Sequence, residues 1–171
     1  MRVLVTGAGG FIGRRLVASL LEEHALSHAD GRAEQISELV LACRSSASAR
    51  NFPSHPHIRV ETGDISDPNF LSRLFERRLD SIFHLAAALT TEAESNFERG
   101  LEVNILALIR MLELCRTLGY RPRFIFAGST AAFGGPLPDP VDDNVAQAPQ
   151  TSYGTGKSVA ELLIKIGRAH V

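Results

Sequence analysis

The chain has 171 residues, a length that suits one domain of ordinary size. Its 18 Lys and Arg against 19 Asp and Glu leave a net charge of −1, which gives no basic surface to attract nucleic acid or an anionic membrane. No apolar run approaches the roughly 20 residues that span a bilayer. Cys43 and Cys115 lie far apart without metal-ligand spacing, and the first apolar run starts directly after Met1. We therefore expect a soluble, cytoplasmic protein without a metal site or a cleavable signal.

Short apolar runs alternate with segments of helical periodicity along the chain. The pattern predicts strands at 2–6, 39–43, 57–61, 81–85 and 123–127. It predicts helices at 11–24, 67–78, 94–118 and 152–164, and polar connections at 24–37 and 134–149. This alternation indicates βαβ units, and hence an α/β fold with a doubly wound parallel sheet over residues 1–164.

A glycine-rich turn joins the first strand to the first helix. Gly7, Gly10 and Gly13 allow a tight turn, close approach to a pyrophosphate, and packing of the helix on the sheet. The start of the helix adds unpaired N–H groups and a partial positive charge. A plain strand–helix turn is the alternative, but the position between a buried strand and a helix favours a nucleotide site. Its candidate residues are Gly7, Gly9, Gly10, Phe11, Ile12 and Gly13.

The third and fourth strands end in further candidates. Asp64, followed by Ile65, could accept a hydrogen bond from an adenine amino group, and a simple turn aspartate is the alternative. Small residues after the fourth strand would let a dinucleotide lie close to the backbone, and the candidates there are Leu85, Ala86 and Ala87. We interpret His84 as a buried, hydrogen-bonded histidine rather than a catalytic one.

The candidate reaction centre comes late in the chain. Tyr153 and Lys157 are four residues apart and so share one face of a helix. An ammonium beside a phenol favours the phenolate, which can act as a base. Ser129, just after the fifth strand, fits as the hydroxyl that positions the reacting oxygen. A chance Tyr-x-x-x-Lys is the alternative, but its place after Ser129 in this order of strands favours catalysis.

These motifs together resemble the extended short-chain dehydrogenases, the epimerase/dehydratase family. The matching segments are 6–13, 63–65, 84–87, 104, 127–134 and 153–157. The resemblance implies an NAD(P)-binding Rossmann fold, with Ser129, Tyr153 and Lys157 catalytic. It also implies that Tyr153 and Lys157 contact the cofactor and that Asn104 supports the cofactor site. Members often pair through the long helix and the Tyr–Lys helix, so a homodimer is implied for a full-length protein.

Other segments resemble one branch of this family, whose members oxidise the 2-hydroxyl of a four-carbon sugar acid such as D-erythronate with a nicotinamide cofactor. These segments are 24–31, 92–97, 114–119, 121–123 and 134–138. NAD-using members carry an acidic residue at the end of the second strand, where this chain has Arg44 followed by two serines. An arginine there suits a 2′-phosphate and favours NADP over NAD, whereas a solvated surface charge is the alternative.

Two classes of function stay open. The first is an oxidoreductase acting on a small sugar acid or sugar derivative; a nucleotide-sugar epimerase or dehydratase is the alternative within the enzyme class. Phe133 stands where many members carry a tyrosine, which argues against epimerase or dehydratase chemistry. The second is a dinucleotide-binding module without turnover, which the intact Ser129, Tyr153 and Lys157 disfavour.

The end of the chain departs from the pattern before it. Residues 165–171 break the apolar periodicity, and residues 166–171, translated back into DNA, fit a widely used sequencing adapter. We therefore expect the native domain to end near Ile164 and residues 165–171 to be a non-native tail, with a natural polar tail as the alternative. Family members are much longer, and their later portion supplies most of the substrate pocket. The 171-residue chain by itself is thus expected to be inactive.

Overall fold

Five parallel strands form the central sheet of the computed structural model. The structure describes residues 1–28, 30–50, 52–119 and 121–170, and it describes 167–170 without their side chains. The strands in the described residues are β1 (Arg2–Thr6), β2 (Ala25–Ser27), β3 (Ala33–Gln35), β4 (Glu38–Cys43), β5 (Ile58–Thr62), β6 (Ser81–His84) and β7 (Arg123–Phe126). The order across the sheet is β5-β4-β1-β6-β7, and all neighbours run parallel. The order reverses at β1, so the carboxyl ends of β1, β4 and β6 open onto one crevice, where α/β proteins bind ligands.

Helices connect these strands. They are α1 (Phe11–Glu23), α2 (Ser46–Ala49), α3 (Pro68–Leu74), α4 (Thr90–Ser95), α5 (Phe97–Leu101), α6 (Ala107–Leu118) and α7 (Ser152–His170). A π-helical segment, Glu102–Leu106, joins α5 to α6, and a 3₁₀ turn, Thr130–Ala132, follows β7. Asp67 caps α3 by accepting a hydrogen bond from the Asn69 N–H, but α3 ends at Leu74, four residues before its predicted end at 78.

Alternate residues of β1 and β4 point to opposite faces of the sheet, so each face carries its own apolar core. The core against α1 includes Val3, Val5, Leu39, Leu41, Val17 and Leu20. The core against α3, α6 and α7 includes Leu4, Val40, Phe70, Leu108, Met111 and Ala160. Cys43 and Cys115 are both buried and free. Helices on both faces of a parallel sheet confirm the predicted doubly wound α/β architecture.

A short antiparallel hairpin, β2–β3, occupies the connection predicted only as polar. His28 and Glu34 pair across it at 2.8 Å, and the Arg123 guanidinium at the start of β7 donates to the Ser27 carbonyl at 2.6 Å. The strands have three residues each, too short for the alternation of apolar and polar residues to be visible in the sequence.

The long helix predicted over 94–118 is interrupted. Asn96 leaves helical geometry with φ −141° and ψ 90°, and its side chain accepts a hydrogen bond from the Arg99 N–H. Asparagine competes with the backbone in this way, which favours a cap over a helix interior. The chain therefore ends α4, restarts as α5, and reaches α6 through the π segment. The end of α6 at Gly119 is as predicted, with the left-handed φ of 69° that favours glycine.

The last helix continues beyond its predicted end at Ile164, since α7 extends to His170. The prediction of a non-native tail at 165–171 falls largely on side chains outside the described residues and stays a prediction. Within the described part of the chain, no helix is both long and apolar enough to cross a membrane.

Candidate functional site

The glycine turn after β1 is shaped by close approaches of the backbone. Gly7 has a φ of 68°, and a methyl group there would lie 2.7 Å from the Ala86 nitrogen. A methyl group on Gly13 would lie 2.6 Å from the Ala8 carbonyl oxygen, so a larger residue would push α1 off the turn. Gly10 is the N-cap residue of α1 and has no side chain to cap it, which leaves first-turn N–H groups available to an anionic ligand.

A cleft of about 560 Å³ lies against this turn. Its lining includes twelve of the predicted cofactor residues: Gly7, Gly9, Gly10, Phe11, Ile12, Gly13, Arg44, Asp64, Ile65, Leu85, Ala86 and Ala87. Phe11 is 82% and Ile12 61% exposed, although both are apolar residues at the start of a helix. A crevice across strand ends with exposed apolar groups and free helix N–H groups suits a dinucleotide.

Four charged side chains line one side of the cleft. Arg44 Nη1 lies 3.1 Å from Glu92 Oε1, and Arg99 contacts both Glu92, at 3.6 Å, and Asp64, at 2.7 Å. Burial raises the pKa of the Asp64 carboxyl, but hydrogen bonds from Ser66 and the Arg99 charge outweigh it and hold the pKa below its usual value. Asp64 thus both closes a turn with Ser66 and lines the cleft. Glu92 and Arg99 were not predicted as site residues, because neither lies in a local motif.

His84 is buried beneath the cleft, as interpreted from the sequence. Its Nδ1 shares a hydrogen bond of 2.7 Å with the Thr6 hydroxyl, which also accepts from the Ala86 N–H at 3.3 Å. The ring stacks on Phe126, with centroids 6.0 Å apart. Burial, with a smaller contribution from the Lys157 charge, lowers the pKa of His84 to about 3. A neutral histidine therefore fixes the end of β6 against β1.

The predicted pair Tyr153 and Lys157 lies at the carboxyl end of β7. Lys157 is 4% exposed, and its Nζ donates to the Ala127 carbonyl at 2.9 Å. The same nitrogen lies 4.6 Å from the ring centroid of Phe126 and 5.8 Å from that of Tyr153. Burial lowers the pKa of Lys157 to about 8, so the ammonium still predominates at pH 7. Because Ala127 lines the cleft, this cation stands at its edge.

Two contacts fix the start of α7. The Glu94 carboxylate accepts from the Ser152 hydroxyl at 2.6 Å and from the Tyr153 N–H at 3.2 Å. These hydrogen bonds lower the pKa of Glu94. A methyl group on Gly154 would lie 2.9 Å from the Ala131 carbonyl carbon and nearer its oxygen, so α7 touches the 3₁₀ turn directly. Glu94, like Glu92 and Arg99, was not predicted from the sequence.

Ser129 stands at the start of that 3₁₀ turn. Its Oγ accepts a hydrogen bond from the Ala131 N–H at 3.2 Å, and the side chain is half-buried. The structure thus places the Ser129 turn against the helix of Tyr153 and Lys157. A hydroxyl that accepts from the backbone can still donate its own proton to a neighbouring oxygen.

Asn104 lies behind the cleft rather than on its lining. Its Oδ1 accepts from the Ala88 N–H and its Nδ2 donates to the Ala88 carbonyl, each at 2.9 Å. Gly156 of α7 approaches it, because a methyl group there would lie 3.2 Å from the Asn104 Cβ. Asn104 therefore holds the segment after β6 in place. A direct contact with a cofactor stays a prediction, and the structure favours an indirect role.

The glycine turn, the crevice across the strand ends and the lysine at its edge define a Rossmann-type dinucleotide-binding fold. The chain belongs to the NAD dependent epimerase/dehydratase family, whose sequence profile matches residues 3–170. This confirms the family resemblance inferred from the motifs.

Three proteins show how far the similarity extends. The chain is 40% identical over 164 residues to D-erythronate dehydrogenase from Cupriavidus necator, covering 96% of this chain and 49% of that protein. The crystal structure of the nucleoside-diphosphate-sugar epimerase from Agrobacterium tumefaciens matches with a TM-score of 0.84 and 31% identity, over 99% of this chain and 49% of that one. The Thermus thermophilus UDP-glucose 4-epimerase in complex with NAD matches with a TM-score of 0.79 and 27% identity, over 99% and 52%. The chain spans about half the length of the curated relatives it matches.

Proposed function

We propose that the full-length protein is an NAD(P)-dependent dehydrogenase that oxidises a hydroxyl of a small sugar acid resembling D-erythronate. The observation that carries the proposal is the position of Lys157, which is anchored on Ala127 at the cleft edge and lies one helical turn from Tyr153. The substrate class rests on the 40% identity to a D-erythronate dehydrogenase.

Each polar group of the proposed centre has a distinct task. Tyr153 takes the proton of the substrate hydroxyl, and Ser129 donates a hydrogen bond that holds the same oxygen. The Lys157 ammonium is placed to reach ribose hydroxyls at the cleft edge. The residues of the glycine turn would hold the pyrophosphate. When bound, a nicotinamide nucleotide supplies the hydride acceptor.

A second candidate is nucleotide-sugar epimerisation. The match to the nucleoside-diphosphate-sugar epimerase of Agrobacterium tumefaciens, with a TM-score of 0.84, favours it. Phe133, which replaces the tyrosine of many members, argues against it. A dinucleotide-binding module without turnover is the remaining alternative. Incubation of the full-length protein with D-erythronate and with UDP-glucose, each with NAD and NADP, separates the three.

The reaction centre is tested with three variants of the full-length protein. Tyr153→Phe should lower kcat at least about 100-fold with nucleotide affinity nearly unchanged, since only the proton-accepting oxygen is lost. Lys157→Met should impair both turnover and nucleotide binding. Thr155→Ala is the matched control, because this exposed residue lies between them on α7 and its hydroxyl donates only to the Thr151 carbonyl just before the helix. Wild-type turnover by Tyr153→Phe would show that Tyr153 is not the base.

We also propose that the full-length protein binds NADP more tightly than NAD. Arg44 lines the cleft at the end of β4 and its side chain is 68% exposed, so it can turn toward a 2′-phosphate. Arg44→Asp should reduce or reverse the preference for NADP, measured by calorimetric titration with both nucleotides. Equal affinities in the unmodified protein would refute the assignment of Arg44.

A cytoplasmic location and a homodimer stay predictions for the full-length protein. Three large apolar side chains are exposed at these helices: Leu106 just before α6 (36%), Ile109 on α6 (41%) and Leu162 on α7 (54%). Their exposure supports pairing of two chains through α6 and α7.

A further inference from the structure

Glu92 is held between two arginines on the lining of the cleft. Arg44 Nη1 lies 3.1 Å from one of its carboxylate oxygens and 3.3 Å from the other, and Arg99 Nε lies 3.6 Å away. Arg99 is itself fixed by Asp64 and by Ser66, at 2.7 and 2.8 Å. Glu92 therefore keeps a cationic partner even when Arg44 turns away.

A phosphate on the nucleotide ribose would compete with this carboxylate. Arg44 contacts Glu92 through Nη1 alone. A phosphate that binds both Nη atoms of Arg44 would therefore displace the carboxylate from Nη1. Glu92 would also repel the phosphate as a like charge near the cleft. Both effects weaken binding of a 2′-phosphorylated nucleotide and leave an unphosphorylated ribose little affected.

We propose that Glu92 is a specificity-determining residue that acts through Arg44 and moderates the preference for a 2′-phosphate. The inference rests on the proposed role of Arg44 in nucleotide binding. Because Arg99 continues to neutralise Glu92, Arg44 can exchange its carboxylate partner for a 2′-phosphate. The protein therefore accepts both nucleotides rather than excluding NAD.

The test uses Glu92→Gln in the full-length protein, titrated by calorimetry with 2′,5′-ADP and with 5′-AMP. The variant should raise the ratio of the two affinities in favour of 2′,5′-ADP by about two- to fivefold, the size expected for an exposed ion pair. The gain should shrink between 50 and 500 mM salt, because exposed charges are screened. An equal gain for both ligands would overturn the proposal, since it would mean a general effect of charge.

Two controls separate this mechanism from others. Glu102→Gln removes a similarly exposed pair, with Arg110 at 3.0 Å, outside the cleft lining, and should leave the affinity ratio unchanged. In an Arg44→Ala background, Glu92→Gln should lose most of its effect, because the two residues act through one contact. If 5′-AMP binds but Glu92→Gln leaves the affinity ratio unchanged, the role of Glu92 is refuted and the proposed function is not. If neither nucleotide binds the unmodified protein, the proposed function is refuted as well.

Discussion

His84 illustrates how burial controls one titratable side chain. The ring is 1% exposed, and its pKa lies near 3, first because of burial and second because of the Lys157 charge. An unfolded histidine has a pKa of about 6.5, so between pH 6.5 and pH 3 the unfolded chain binds a proton that the folded chain does not. Stability from this group is therefore complete above pH 6.5 and declines as the pH falls.

We predict that the free energy of unfolding falls by about 1.4 kcal/mol per pH unit below pH 6.5 through His84 alone. His84→Asn keeps an acceptor for the Thr6 hydroxyl but does not titrate there. The variant should be less stable at pH 7, because ring packing is lost, and should show a flatter decline between pH 6.5 and 5. Urea unfolding measures both. His57→Asn, an exposed control, should keep the wild-type slope, and the assignment fails if His84→Asn also keeps it.

The residues of the cleft differ in how far the sequence could foretell them. Gly7 and Gly13 were predictable because their spacing expresses a backbone requirement, and the structure shows the close approaches they permit. Glu92 and Arg99 were not, since their contacts join segments 48 and 35 positions apart. Arg44 was found, but its partner Glu92 was invisible to any local pattern. An ion pair across a crevice joins residues that only the tertiary fold brings together, so composition and local spacing cannot predict it.

At the scale of elements, the contact of α7 with the 3₁₀ turn brings Ser129 to the helix of Tyr153. Gly154 makes this contact possible, because an added methyl group would strike the Ala131 carbonyl. Alanine is worth about 1 kcal/mol more than glycine inside a helix. The collision is with backbone, which cannot swing aside as a flexible side chain can, so we expect the clash to outweigh the helical gain.

We predict that Gly154→Ala lowers the free energy of unfolding by about 1–3 kcal/mol and reduces turnover of the full-length protein, since the Ser129 turn must shift. Gly128→Ala is the matched control: no atom lies within 4 Å of a methyl group there, so stability should change by less than about 0.5 kcal/mol. Thermal unfolding gives the comparison. Equal stability of the two variants would mean that the contact is not tight.

The elements themselves were predictable where periodicity is long and strong. All five core strands and α1 lie within about two residues of their predicted ends, because buried strands and amphipathic helices leave clear patterns. The break at Asn96 was not predicted, since one side chain capping α5 outweighs an otherwise continuous apolar face. The hairpin β2–β3 was also missed, because it is held by contacts to distant residues such as Arg123.

At the scale of the whole molecule, the described residues place the candidate cleft and the predicted catalytic side chains at the same edge of one sheet. Catalysis also requires a substrate carbon to be positioned at this edge, and small misplacements cost about 100-fold in rate. This chain matches about half of each curated relative, so each relative has about as many residues outside the match as within it.

We predict that the 171-residue chain binds nucleotide weakly and shows no measurable oxidation of D-erythronate, whereas a full-length relative turns over. The chain, a version ending at Ile164, and that relative should be assayed side by side with NAD and NADP. Equal nucleotide binding by the two short forms would indicate that residues 165–171 have no function. Robust turnover by either short form would contradict the prediction, because it would show a complete substrate pocket without the additional residues of the relatives.

The π segment, Glu102–Leu106, restricts how this chain can vary in length. A π turn holds one residue more than an α turn, so deleting one residue would let the segment relax into a regular helix. Each residue of an α-helix accounts for about 100° of rotation. After such a deletion, either Asn104 would leave Ala88 or the apolar face of α6 would turn away from the sheet. Related sequences should therefore show no alignment gaps within this segment.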